Sequence, residues 1–236
     1  MAENLIEVHS LKKYFPVGKK FLHAVDEVNL AIPARQTLGL VGESGCGKST
    51  LGRLLLNLIP PSGGEVLFHS ENILNYSNHK MRKVRQKMQI IFQDPYASLN
   101  PRMTISEVIA EPVVFNKIIT DKREVQEHVY KLMDLVGLSR DLELSYPHEL
   151  DGGRRQRIVI ARALSMNPEF IVCDEPVSAL DVSIQAQTLN LLMDLQESLG
   201  LTYVFITHDL SVVKHISQQI AVMYLGQIIE FASSDT

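Results

Sequence analysis

The residues most capable of chemistry form a glycine-rich run, GESGCGKST, at positions 42–50. This run fits G-x-x-x-x-G-K-[ST] at every fixed position, a pattern typical of a loop that binds phosphate. Its glycines permit positive φ, so that backbone N–H groups can curl around an anion. The Lys48 ammonium can reach the outer phosphates, and the Ser49 hydroxyl can ligate Mg²⁺. The residues predicted to bind the phosphates are Gly42, Glu43, Ser44, Gly45, Cys46, Gly47, Lys48, Ser49 and Thr50.

The sequence on either side of the loop predicts the elements that must position it. Residues 38–41 are a short apolar run that predicts a buried strand. After the loop, apolar residues recur at helical spacing, at Leu51, Leu54, Leu55 and Leu58. The start of this helix adds the positive end of its dipole to the phosphate site. A strand, a glycine loop and a helix in this order favour phosphate binding over a turn without a ligand.

Two adjacent carboxylates form a second candidate for chemistry. The apolar run at residues 170–173 predicts a strand, and Asp174 and Glu175 follow it directly. The carboxyl ends of parallel strands face the ligand crevice. There Asp174 can hold Mg²⁺ through water, and Glu175 can polarise the water that attacks a γ-phosphate. The alternative is an acidic strand end in solvent, which the phosphate loop makes less favourable.

Strands and helices alternate through most of the chain, which predicts an α/β fold with a mainly parallel sheet and helices on both faces. A clear amphipathic helix spans residues 184–199, with Ser183 as its predicted cap and Gly200 as its end. A basic run at residues 80–87 is interpreted as a solvated segment. The predicted strands span residues 6–8, 24–32, 38–41, 65–68, 88–92, 170–173, 203–206 and 220–224.

The strand pattern stops between Tyr96 and Leu164, which indicates a helical insertion into the core. Residues 124–136 and 154–164 have helical spacing. The segment 107–115 contains Pro112, so we expect its helix to be broken there.

The composition limits the classes of partner. The chain has 236 residues and a net charge of −4, whereas proteins that grip nucleic acid usually carry a basic surface. No apolar run approaches the roughly 18 residues of a membrane span, and no signal peptide is visible. Cys46 and Cys173 form no C-x-x-C pair, so we expect no disulfide framework and no zinc site. These features fit a protein of the reducing cytosol.

Taken together, the motifs resemble the nucleotide-binding subunit of an ABC transporter, from about Ile6 to Glu230. The resemblance implies that ATP and Mg²⁺ are the ligands and that Gln93 and His208 act with Glu175 in catalysis. Gln93 would contact Mg²⁺, together with Ser49 and Asp174, and His208 would contact the γ-phosphate. The remaining roles that it implies are an aromatic stack on adenine by Tyr14, with Phe15 as the second choice, and a dimer-interface role for Asp181.

The resemblance also implies a fold and a division into domains. It implies a RecA-like P-loop NTPase core, an N-terminal antiparallel β subdomain and an inserted α-helical subdomain. Residues 1–95 would hold the β subdomain and the first half of the core, and 96–165 the helical subdomain. Residues 166–236 would complete the core, without the C-terminal extension that many peptide-type members carry.

One segment departs from the family pattern. The usual signature, Leu-Ser-Gly-Gly-Gln, reads Leu150-Asp151-Gly152-Gly153-Arg154 here. Asp is as good a helix cap as Ser, so we expect the helix to survive the exchange. In an ABC dimer this segment of one subunit faces the nucleotide of the other, so a carboxylate would replace a hydroxyl beside the triphosphate. Arg154 lies three residues on and can neutralise Asp151 or contact the phosphate itself.

Phrases around the motifs, such as DPYASLNPR after Gln93, are similar to the oligopeptide, dipeptide and nickel importer ATPases, and to the second of their two paired ATPase subunits. This similarity implies a peripheral location on the cytoplasmic face of the cell membrane. The implied partners are a second ATPase subunit, in a heterodimer or a homodimer, two membrane permease subunits and, indirectly, an extracytoplasmic solute-binding protein. The cargo stays open between peptide, nickel and another chelate.

Two other function classes fit the motifs less well. A DNA-repair or chromosome ATPase of the ABC type needs a long coiled-coil insertion, and the segment between Gln93 and Leu150 is too short for one. A translation-associated ABC protein carries two cassettes in one chain, and this sequence has one. We therefore expect a transport ATPase without a nucleic-acid partner.

Overall fold

A computed structural model describes residues 3–234 as two β-sheets with helices packed around them. The strands are β1 Asn4–Val17, β2 Lys20–Pro33, β3 Thr37–Val41, β4 Gly63–Phe68, β5 Glu71–Asn72, β6 Met88–Ile91, β7 Phe170–Asp174, β8 Thr202–Ile206, β9 Gln219–Tyr224 and β10 Gln227–Ser233. The α-helices are α1 Lys48–Leu55, α2 Asn78–Lys87, α3 Pro95–Ser98, α4 Ile105–Phe115, α5 Lys122–Leu135, α6 Gly152–Leu164, α7 Val182–Leu199 and α8 Leu210–Ile216.

The larger sheet has six strands in the order β10-β9-β3-β8-β7-β6. The five strands from β9 to β6 run parallel, and β10 pairs antiparallel to β9 at the edge. Every residue of β3, β7 and β8 is buried, as expected for strands that helices cover on both faces. The predicted α/β class with a mainly parallel sheet is confirmed. The carboxyl ends of β3, β7 and β8 lie side by side at one end of this sheet, where the candidate chemical groups lie.

The smaller sheet is antiparallel, in the order β2-β1-β4-β5. Its longest pair, β1 and β2, is a hairpin that turns at Gly18, where φ is +61°. One apolar cluster joins this sheet to α1 and to one face of the larger sheet. A second cluster fills the space between the opposite face and α4 to α8. The glycine loop lies between the two sheets and is therefore held from both sides.

Helices α3 to α6 form the insertion between β6 and β7. The predicted break at Pro112 is wrong, because α4 continues through it to Phe115. A capping box of Thr104 and Glu107 starts this helix, and its buried apolar face packs into the core. Beyond Pro112, Asn116 closes the last turn by donating from its backbone and side chain to the Pro112 carbonyl. Packing thus overrides the unfavourable proline.

The structure also tests the predictions made for helices α2 and α7. The basic run is confirmed as solvated, since it forms α2, whose buried residue is Met81. The predicted Ser183 cap is wrong, because α7 begins at Val182 with Asp181 in the cap position. The predicted end at Gly200 is confirmed, with φ at +66°. Within residues 3–234, we find no helix with both the length and the apolar character required to cross a membrane.

Candidate active site

The glycine loop joins β3 to α1 and is shaped by contacts that exclude a side chain. A Cβ on Gly42 would lie 2.1 Å from the Met223 carbonyl oxygen, and one on Gly47 would lie 2.0 Å from that of Ala24. Gly47 also caps α1 with φ at +113°, a conformation that L residues rarely adopt. Glycine is therefore required at both positions, by space as well as by backbone angle. The loop presents the start of α1 to the crevice at the sheet edge.

The Lys48 side chain folds back over the loop. Its Nζ donates to the carbonyl oxygens of Gly42 and Glu43, at 2.7 and 2.8 Å. The residue is only 5% exposed, so its positive charge sits at the floor of the loop. Buried lysines are rare without partners, because burial disfavours the charged form. Its oxygen acceptors are two neutral carbonyls, and an anion in the loop would supply a direct counter-ion.

Ser49 and Asp174 bring two oxygen ligands together. The Ser49 Oγ donates to Asp174 Oδ1 at 2.8 Å, which joins the start of α1 to the end of β7. Burial raises the pKa of the Asp174 carboxyl, and the bond from Ser49 and the charges of Arg53 and Lys48 offset part of this rise. Hydroxyl, carboxylate and water are the hard oxygen ligands that Mg²⁺ prefers. The donor set therefore fits a magnesium ion, whose charge would stabilise the buried carboxylate.

Glu175 is the centre of a three-residue contact at the sheet edge. Its Oε2 accepts a hydrogen bond from Gln93 Nε2 at 3.1 Å, and its Oε1 lies 3.6 Å from His208 Nδ1. The Glu175 backbone is left-handed, with φ at +49°, and its N–H donates to the Ile206 carbonyl at 3.0 Å. Three separate strand ends, after β6, β7 and β8, thus converge on one carboxylate. This arrangement can orient a water molecule and accept its proton.

A cavity of about 840 Å³ runs from the loop to these side chains. It brings together most of the predicted phosphate-binding residues with Gln93, Glu175 and His208. Its other wall comes from the β1–β2 hairpin and the turn between β9 and β10, which pattern reasoning did not assign to the site. The residues missed in this wall are Phe21, Leu22, His23, Ala24, Leu225 and Gly226. The turns of these two hairpins could have indicated this wall, because they bring distant strands back to the same end of the sheets.

Two phenylalanine rings line this wall, Phe15 and Phe21, whereas Tyr14, the first choice for the adenine stack, does not. Phe15 lines the cavity, whereas the Tyr14 ring stacks on His23 with centroids 4.0 Å apart. The Tyr14 hydroxyl donates to Asp26, and this bond raises the pKa of Tyr14 and lowers that of Asp26. Adjacent residues of a strand point to opposite faces, so one of the two had to face away. Tyr14 supports His23 from behind, and Phe15 and Phe21 are the phenylalanine rings available to a ligand on this wall.

The signature residues lie elsewhere in the chain. Asp151 caps α6 by accepting from the Arg154 backbone N–H at 2.8 Å, as its residue type predicted. The Arg154 Nε lies 3.4 Å from Asp151 Oδ2, so the two charges form an ion pair. Asp151, Gly153 and Arg154 line a separate cavity of about 340 Å³, and Gly152 starts α6 beside Leu180. Asp181 caps α7 and is exposed. One chain alone therefore does not bring these residues into the phosphate cavity.

Comparison with known proteins shows which family the chain resembles. A family model described as ABC transporter matches residues 25–178, more than half of the chain. The chain is 52% identical to the oligopeptide transport ATP-binding protein OppF of Bacillus subtilis (strain 168), over 100% of this chain and 77% of that protein. It is 46% identical to the dipeptide transport ATP-binding protein DppF of Escherichia coli (strain K12), over 100% of this chain and 72% of that protein.

Solved structures give the same result for the fold. The dimeric post-hydrolysis structure of the ATP-binding cassette MJ0796 with ADP and Pi superposes with a TM-score of 0.88 at 28% identity, over 97% of this chain and 98% of that one. The structure of cbiO1 from Clostridium perfringens, part of the ABC transporter complex cbiONQ, also reaches 0.88 at 27% identity, over 99% and 90%. A non-transport class is not favoured by these matches. The chain belongs to the ABC transporter family, as one of its ATPase subunits.

Proposed function

We propose that this subunit hydrolyses ATP to energise the import of peptides across the cell membrane. The observation that carries the proposal is the convergence of Gln93, Glu175 and His208 on the cavity that also holds the phosphate loop. The peptide class rests on relatives named for oligopeptide and dipeptide transport, at 46–54% identity. Nickel or another chelate is the alternative cargo within the same group.

The loop residues 42–50 would hold the phosphates, and Phe15 would stack on the adenine ring. Ser49, Asp174 and Gln93 would hold Mg²⁺, which when bound supplies positive charge to the phosphate oxygens. Lys48 turns its ammonium from the loop carbonyls to the outer phosphates. Phe15, Gln93 and the loop residues from Ser44 to Thr50 line the cavity, and Asp174 lies at its contact with Ser49.

Glu175 is the group that takes the proton from the attacking water. Gln93 and His208 approach its two carboxylate oxygens from different strands and hold the side chain at the cavity. A positioned carboxylate of this kind contributes about 10²–10⁴-fold as a general base. His208 is 62% exposed at its side chain, which leaves it free to contact the γ-phosphate.

We propose that the working unit is a dimer, with the second ATPase subunit either a related chain or a copy of this one. Asp151, Gly152, Gly153 and Asp181 would complete the partner's nucleotide site across the interface. Two permease subunits would anchor the dimer at the cytoplasmic face of the membrane, and a solute-binding protein would deliver the cargo outside. We propose functional domains at residues 1–95, 96–165 and 166–236, with the middle one facing the permease.

The proposed function is tested by peptide uptake in cells that lack the gene. Cells complemented with the wild-type chain should accumulate a labelled dipeptide or oligopeptide, and cells with Glu175→Gln should not. Uptake of a nickel chelate instead of peptide would reassign the cargo. Membrane subunits should co-purify with the chain, and co-purification with DNA or ribosomes would contradict the transport function.

The permease contact gives a separate prediction. A groove of about 700 Å³ lies between α2, α4 and α6 and exposes Phe115, which is 75% accessible. A cysteine at Phe115 should crosslink to a cytoplasmic permease loop, with a yield that depends on ATP because Phe92, beside Gln93, lines the same groove. The native Cys46 and Cys173 are buried and should not compete. The control is a cysteine at Ile229 on β10, and crosslinks from that position alone would contradict the prediction.

The altered signature predicts a weak ATP site. A carboxylate at Asp151 beside a triphosphate meets a like charge, and two like charges about 4 Å apart repel by about 1 kcal/mol even in water. Restoring the usual residues with Asp151→Ser and Arg154→Gln should therefore tighten ATP-driven dimerisation of the isolated chain by about fivefold or more. Sedimentation velocity with ATP and the Glu175→Gln background measures the dimer.

The competing expectation is that Arg154 neutralises Asp151 completely through the ion pair at 3.4 Å. In that case the double substitution leaves dimerisation unchanged or weakens it. The matched control removes another exposed pair of the helical insertion, Asp134 and Arg140, by Asp134→Ser and Arg140→Gln. An equal effect of the control pair would show a general change of surface charge and would refute the specific repulsion.

A further inference from the structure

Arg155 is an arginine with an unusual position, directly after the signature segment. It is 6% exposed, although α6 begins only three residues before it. Its Nε donates to the Pro147 carbonyl at 2.9 Å, and its terminal nitrogen donates to the Leu150 carbonyl. Both acceptors lie in the turn that leads into the Asp151 cap. Arg155 therefore fixes the backbone on which the signature residues sit.

The flat face of the same guanidinium covers an aromatic ring. The Arg155 Cζ lies 3.6 Å from the centroid of the Tyr96 ring, well within the range of a cation–π contact. Tyr96 belongs to α3, three residues after Gln93. Asp94 caps this short helix by accepting from the Tyr96 N–H at 2.8 Å, so the turn after Gln93 is held by a hydrogen bond of its own.

A second arginine of α6, Arg162, also holds α3 in place. Arg162 lies seven residues after Arg155 and therefore on the same face of α6. Its guanidinium donates to the Ser98 carbonyl at 3.4 Å and to Glu111 at 2.8 Å. Two arginines thus clamp the two ends of α3 to α6. A displacement of the segment after Gln93 has to move α6 with it, or break the contact at Tyr96.

We propose that Arg155 and Tyr96 are a pair of positioning residues that links the placement of Gln93 to the signature turn. Gln93 contacts Glu175 at the catalytic end, and Arg155 holds the carbonyls before Asp151 at the other. The pair joins the site where this chain hydrolyses ATP to the surface that it offers to its partner's ATP. The inference rests on the proposed function, since it describes how that hydrolysis is coordinated.

Tyr96 is the position at which to test the pair. Tyr96 is 62% exposed, so substitutions there cost little folding stability. They also leave the hydrogen bonds from Arg155 to the signature turn in place. Tyr96→Leu should lower kcat for ATP about threefold to fivefold, the scale of a cation–π contact to an exposed ring, with KM unchanged because the phosphate loop is untouched. Tyr96→Phe keeps the ring and should keep the wild-type kcat.

The control for the loss of any such stack is Tyr130→Leu. Arg140 covers the Tyr130 ring at 5.0 Å in the same helical insertion, away from the Gln93 segment. Hydrolysis is measured in the assembled transporter, and Tyr130→Leu should leave kcat within twofold of the wild type. The wild-type rate tests the proposed function by itself, so its failure is distinct from a failure of the pair.

Tryptophan fluorescence can report directly on the segment after Gln93. The chain contains no tryptophan, so Tyr96→Trp introduces a single reporter and retains the ring over Arg155. Its emission in the purified chain should shift when ATP and Mg²⁺ are added. The shift should disappear in the presence of Gln93→Ala, because the segment then no longer follows the nucleotide.

Each outcome decides the proposal. A selective fall in kcat for Tyr96→Leu, its rescue by Tyr96→Phe and an emission shift that requires Gln93 support it. An unchanged kcat, a rise in KM in its place, an equal loss in Tyr130→Leu or an emission that ignores ATP overturns it.

Discussion

Glu175→Gln is expected to lower ATP turnover by at least about 10²-fold while ATP still binds, the scale of losing a general base. The amide keeps the size of the side chain and can still contact Gln93 and His208, which lie 3.1 and 3.6 Å from the carboxylate oxygens. It cannot accept the proton of the attacking water at neutral pH. Steady-state phosphate release by the assembled transporter measures turnover, and calorimetry on the purified chain measures binding.

A matched control for this exchange is Glu197→Gln, an exposed residue near the end of α7 that does not line the cavity. It makes the same chemical change outside the cavity, so turnover should stay at the wild-type rate. Wild-type turnover in Glu175→Gln would remove this residue from the catalytic role and leave the cavity without its base.

Lys48→Ala is expected to weaken ATP binding by roughly 100-fold, since hydrogen bonds to charged groups contribute about 1.5–3 kcal/mol each. The ammonium is buried, and its two oxygen acceptors are neutral carbonyls of the loop. The substitution removes the buried positive charge that compensates the phosphates and leaves those carbonyls without this donor. Titration calorimetry with ATP and Mg²⁺ measures the dissociation constant.

The control for Lys48→Ala is Lys83→Ala on the exposed basic helix α2, which removes the same charge from the surface. Its dissociation constant should equal that of the wild type. If Lys48→Ala bound ATP as tightly as the wild type, the loop would not be the phosphate site.

The parts of the site that lie within one stretch of sequence could be predicted from that stretch alone. The glycine loop carries its own backbone requirements, and the apolar strand before Asp174 and Glu175 ends where the sheet ends. Residue type also predicted the cap at Asp151, because a short carboxylate reaches the third N–H of a helix in any context. Such features depend on a few neighbours in the chain, so pattern reasoning recovers them.

Features that depend on distant contacts were not recoverable. The pairing of β1 with β2 is irregular between Lys13 and Tyr14, so simple alternation does not say which ring, Tyr14 or Phe15, reaches the cavity. The continuous helix through Pro112 depends on packing that outweighs one lost hydrogen bond. The contact of Arg155 with Tyr96 joins two positions that are distant in the sequence, and no local pattern predicts it.

The left-handed backbone at Glu175 has a consequence for the evolution of this subunit. A non-glycine residue held at φ of +49° carries strain of about 1–2 kcal/mol, and asparagine adopts this conformation more readily than glutamate. Mutations that increase stability would therefore tend to replace Glu175, the proposed general base. A cassette released from selection for hydrolysis, such as one half of an asymmetric pair, should lose its glutamate early and become harder to melt as it becomes inert.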